Sequence, residues 1–242
     1  MTEQVSAHRR FVFVTFSVTW ILWLPVTLAS WGAPSFSNPY VASWFSDFVG
    51  LRANTPAHWL VLAGGVLGPA AGAVAAWHRR AGRMGLRALG THLVDVRIAD
   101  WRGWLTGLLP VAYFALASLV VFALTGVTFS SELGPLGFLG FLAAGCALII
   151  GEESGWRGTQ LPLLQEKHSA LRSSVIVALT WACWHLPILL MWQARPGGSL
   201  MGAVFGLVPY LALMIPATIM HTFAFNSARG RGPKPAPVPG PS

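Results

Sequence analysis

A few ionisable side chains stand in stretches of this sequence that are otherwise too apolar to hold them. Glu152 and Glu153 close a run that begins at Gly134, His185 lies inside a second run that begins at Ser173, and His221 and Asn226 lie near the end of a third. Polar groups inside a membrane span are costly, so each is a candidate for function. His185 is 12 residues past Ser173, which at helical rise sets it roughly 18 Å in from the start of its run. If the preceding helix continues through Gly151 to Gln160 and ends at Pro162, Glu152 lies about 12 Å from the same edge. The short connection from Leu161 to Arg172 makes the two helices antiparallel neighbours, which brings the carboxylate within reach of the imidazole. Glu153 and Arg157 are spaced i, i+4 with the acid first, the favourable order for a helical ion pair. That pair neutralises one carboxylate and leaves Glu152 free.

A carboxylate and an imidazole converging in a wet cavity suit the activation of water. The carboxylate takes a proton while the imidazole orients the oxygen, giving a nucleophile for a peptide carbonyl. The alternative is a divalent metal, zinc above all, shared by Glu, His and a third ligand. The sequence holds no HExxH and no compact His cluster, so a site without metal or other cofactor is the expectation. The bland readings are two glutamates marking a helix end and a core histidine bonded to a neighbouring helix.

The elements that must position these groups follow from composition. Of 242 residues, 54% are hydrophobic and 10% charged, against about 25% charged in a soluble domain. An all-α polytopic bundle of about six membrane-spanning helices is expected, over Phe11–Trp31, His58–Trp77, Gly103–Gly126, Gly134–Gly151, Ser173–Trp192 and Leu200–Phe225. The first run is too long for the apolar core of a signal peptide and is read as a retained helix. Prolines and glycines inside these runs are tolerated by membrane helices. The net charge of +8 forms no basic stripe with interleaved aromatics, so it fits an anionic lipid surface and not nucleic acid. Fourteen of the sixteen Lys and Arg fall on one side of this arrangement, with Arg52 and Arg195 on the other. Both termini are therefore expected on the cytoplasmic side of an inner membrane. Cys146 and Cys183 are expected as small buried hydrophobes. Residues 78–102 read as a basic connector, residues 1–133 as N-terminal spans, 134–228 as the core of interest, and 229–242 as a disordered Pro and Gly tail.

The segments GEESGWRGTQ and ALTWACWHLPILL resemble the first two motifs of the CPBP family of intramembrane proteases, also called the Abi or CAAX prenyl protease 2 family. The EExxxR motif is matched by Glu152, Glu153 and Arg157, with Trp156 and Gly158 around the Arg; FxxxH is matched by Trp181 and His185, with Trp in place of Phe. The resemblance covers residues 134 to about 230. It implies a helical bundle that cleaves membrane-associated peptide or protein substrates within the lipid bilayer, with Glu152 as base, His185 as its partner, and Glu153 and Arg157 in support. The family's third motif, HxxxN, thought to stabilise the oxyanion, has no match at its spacing, because His221 and Asn226 are five apart. IMHTFAFNSARG resembles the family segment that precedes the helix carrying that motif, which puts His221 at an ordinary Phe position. The third motif is expected to be missing, as truncation would leave it, with activity impaired; the alternative is that His221 and Asn226 substitute for it.

Two other classes compete. A non-catalytic membrane protein of the bacteriocin-immunity or scaffold type would share the fold and act by binding. A small transporter would relay protons through Glu and His, but it needs titratable groups along a whole path, and the outer halves of these spans hold almost none.

Overall fold

The structure is a computed structural model that describes residues 3–32, 56–94, 135–193 and 198–229. Every regular element among the described residues is helical: α1 (Glu3–Gly32), α2 (Pro56–Val94), α3 (Pro135–Gly155), a π-helical turn (Trp156–Gln160), α4 (Leu161–Gln165), α5 (Ala170–Trp184), α6 (Leu186–Gln193) and α7 (Leu200–Arg229). The all-α bundle expected from composition is what the chain forms, and it is an integral membrane protein. Three described helices are long and apolar enough to cross a membrane, Ser6–Trp31, Trp59–Thr91 and Leu200–Ser227. The expected span Gly103–Gly126 and the tail after Arg229 lie outside the described residues.

Two of the expected runs depart from simple spans. Pro162 does not end the fourth run: the π-helical turn passes directly into α4 and the helical path continues to Gln165. The fifth run is broken, with α5 ending at Trp184 and α6 starting at Leu186. The expected connector after the second run is largely helical, since α2 continues to Val94 across a kink at Ala81 and Gly82, where Gly82 takes φ +51°. A residue with a side chain would be strained at that angle.

Outward faces are apolar. Phe13, Phe205 and Phe223 are 72%, 68% and 64% exposed, an arrangement that suits lipid. Cys146 and Cys183 do not sit in the core as expected; both are free and on the outer surface of α3 and α5. A small thiol meets lipid there at little cost.

The interior is stitched by polar side chains on backbone carbonyls, as a medium without water requires. Thr19 donates to the Gly64 carbonyl at 2.9 Å and Trp23 to that of Val61 at 2.8 Å, fixing α1 along α2. Gly151 and Gly155, one helical turn apart, let α3 lie directly on α2, because a methyl group at either would come within 2.6 Å of Val66 or Pro69. Small residues at this spacing serve the same close approach in other membrane helices. Trp156 and Trp184 are fully buried, with ring centroids 5.5 Å apart, and Phe11 meets the Trp156 ring edge-on at 5.5 Å.

One end of the bundle gathers three distant segments. Arg80 pairs with Glu166 at 2.5 Å, tying α2 to the turn after α4. Near that end, Gln160 donates to Thr180 at 3.1 Å and lies 3.3 Å from His8 of α1. The start of α1, the middle of α2 and the turn after α4 thus meet at one end.

Candidate active site

Glu152 and Glu153 ride on the last turn of α3, directly before the helix widens. The π-helical turn from Trp156 to Gln160 carries i to i+5 geometry, and the Thr159 hydroxyl donates to the carbonyl of Ser154, five residues back, at 2.9 Å. Trp77 of α2 donates to the same hydroxyl at 3.0 Å, which pins the wide turn in place. Such turns inside α-helices are frequent at functional sites, because they rotate the following side chains out of normal register.

Arg157 projects from this turn and is 5% exposed along its side chain. Its Nη1 donates to Glu153 Oε1 at 2.7 Å, so the expected i, i+4 ion pair forms. Its Nη2 donates to His221 Nδ1 at 2.9 Å, and its guanidinium carbon lies 4.9 Å from the centroid of the Trp181 ring. A guanidinium can only donate, so Nδ1 of His221 must accept, and the ring proton of the neutral form sits on Nε2.

His185 is placed by the break between α5 and α6. Pro187 has no N–H to give the Cys183 carbonyl, so the helix cannot run through, and His185 takes φ −76° and ψ −2° as the cap of α5. Side chains of α1 brace the broken segment: Trp20 donates to the Trp184 carbonyl at 3.1 Å, Thr27 to that of Pro187 at 3.0 Å, and Trp31 to that of Leu190 at 3.1 Å. The imidazole is then held on several sides. Its Nδ1 lies 2.9 Å from the Trp181 carbonyl, and a carbonyl only accepts, so Nδ1 carries the proton and Nε2 is left as an acceptor. Trp184 packs edge-on at 4.5 Å between centroids and Tyr210 of α7 at 5.4 Å.

Glu152 joins this arrangement through Trp181, whose indole N–H donates to Oε2 at 3.1 Å. The structure therefore gathers Glu152, Glu153, Arg157 and His185 into one cluster with Trp181 between them, and it adds His221 through Arg157. Asn226 is not part of it. Five residues along a helix turn a side chain about 140° away, so Asn226 and His221 of α7 cannot face the same site.

Three participants were not weighed from the sequence: Trp184, Tyr210 and the indole N–H of Trp181. Tyr210 carried a signal, being a rare polar hydroxyl inside an apolar run. Among the described residues no three His, Cys, Asp or Glu side chains converge to hold a metal ion.

The comparison with known families falls on the same segment. Residues 134–227 match the family model described as type II CAAX prenyl endopeptidase Rce1-like. A CAAX prenyl protease 2 of Methanococcus maripaludis is 36% identical over 64 residues, covering 26% of this chain and 22% of that protein. The match thus spans about a fifth of the relative's length. The stretch from 134 to 227, which carries Glu152, Glu153, Arg157 and His185, is thus similar to the type II CAAX prenyl endopeptidase Rce1-like family.

Proposed function

We propose that this chain is an intramembrane endopeptidase of the CAAX-protease type, in which Glu152 and His185 activate water against a peptide bond of a membrane-associated substrate. The observation that carries this reading is that one residue, Trp181, bonds both the Glu152 carboxylate and the His185 imidazole. In this reading the Glu152 carboxylate and His185 Nε2 meet the water. Glu152 takes a proton from that water while Nε2 accepts a hydrogen bond from its other hydrogen, and the oxygen adds to the carbonyl carbon. The C–N bond then breaks, and the proton held by Glu152 passes to the departing amine nitrogen. Arg157, tied to Glu153, keeps the second carboxylate out of this chemistry. No step is routed through a metal. Both termini are proposed to face the cytoplasm.

The test is cleavage of a quenched fluorogenic peptide ending in a farnesylated CAAX sequence, by the full chain reconstituted in liposomes. Glu152→Ala and His185→Ala should each abolish the fluorescence rise, Glu166→Ala and His168→Ala should spare most of it, and exhaustive chelation should leave it intact. Cleavage undiminished in Glu152→Ala would overturn the assignment and favour the non-catalytic, scaffold reading.

A further inference from the structure

Trp181 touches three site residues with three different parts of itself. The indole N–H reaches Glu152 at 3.1 Å, the backbone carbonyl accepts from His185 Nδ1 at 2.9 Å, and the ring face lies 4.9 Å from the Arg157 guanidinium. The family motif that this position resembles places Phe here, and Phe could supply the carbonyl and a ring face but no N–H. The hydrogen bond to Glu152 thus depends on the Trp that stands here.

We propose that Trp181 is a positioning residue, whose indole N–H holds the Glu152 carboxylate in register with the imidazole that its own carbonyl orients. A carboxylate on a flexible side chain samples several staggered rotamers unless something selects one. The indole selects one by taking Oε2. The indole plane is in turn held by Arg157, whose own position is fixed by Glu153 at 2.7 Å and His221 at 2.9 Å. The sequence Glu153, Arg157, Trp181, Glu152 is therefore one mechanical chain, with each link a hydrogen bond or a cation over a ring. The inference rests on the protease reading above.

The decisive variant is Trp181→Phe, which keeps the carbonyl and a ring for Arg157 and removes only the donor. On the farnesylated CAAX probe, kcat should fall about tenfold or more while KM stays within about twofold, since the lost contact orients the base and does not bind substrate. Thermal unfolding in detergent should shift down only slightly, and Trp181→Ala should lower it much further. An independent readout needs no turnover: the indole NMR signal of ¹⁵N-labelled protein that disappears in Trp181→Phe should shift upfield in Glu152→Ala. Wild-type rates in Trp181→Phe, with Glu152→Ala inactive, would overturn the proposal and leave the protease standing. Absence of cleavage by the wild type would count against the protease reading instead. The indole signal would then decide alone, and a Trp181 signal indifferent to Glu152 would overturn the positioning role.

Discussion

Arg157 and His221 are 64 residues apart in the chain, yet the guanidinium donates to the imidazole Nδ1 at 2.9 Å. A buried guanidinium has five N–H groups to satisfy and cannot shed its charge. His221 is therefore part of what makes the burial of Arg157 tolerable.

The first prediction follows from that pair. His221→Phe should reduce cleavage by a few-fold and lower thermal stability by about 1 to 2 kcal/mol, the range for a lost hydrogen bond to a charged group. His221→Gln, whose amide oxygen can accept from Arg157, should recover most of both. Asn226→Ala should be close to neutral. Loss of all activity in Asn226→Ala would show that the residue acts as an oxyanion donor after all.

The ion pair itself should respond unequally to its two truncations. Glu153→Ala leaves a buried guanidinium that cannot neutralise itself, at a cost of about 3 kcal/mol. Arg157→Ala leaves a carboxyl that can neutralise itself by binding a proton, so it should cost less. Chemical unfolding in mild detergent would measure both, and equal losses would contradict the asymmetry.

Close approach of α2 and α3 should be sensitive to volume. Gly151→Val and Gly155→Val would drive a side chain into Val66 or Pro69 and should destabilise by about 1 to 3 kcal/mol. They should also reduce cleavage, because α3 carries Glu152. Gly145→Ala meets nothing within 4 Å and serves as the control, with unfolding expected at or slightly above the wild-type temperature.

Sidedness can be read by labelling. A cysteine at Gly90 has open space around it and should stay unmodified by an impermeant maleimide in intact cells, whereas one at Gly198 should react, in a background with Cys146 and Cys183 replaced. Reaction at Gly90 would reverse the orientation drawn from the basic residues.

What the sequence determined by itself is local. Apolar runs of membrane length, the bias of basic residues and the i, i+4 spacing of Glu153 and Arg157 depend on neighbours along the chain, so helices and the ion pair could be read directly. The EExxxR and WxxxH spacings likewise located Glu152 and His185. What only the tertiary structure decided depends on how each helix is rotated about its axis. The π-helical turn at Trp156–Gln160 adds one residue to a turn and so re-aims Arg157 and Gln160. Pro187 together with the braces from Trp20, Thr27 and Trp31 set the orientation of His185. The rotation of α7 brought Tyr210 and His221 inward and turned Asn226 away. Hydropathy is nearly uniform around these helices, so no periodic signal in the sequence marks which face turns inward. The choice is made by a handful of polar groups that must find partners where there is no water, and those partners are far apart in the chain.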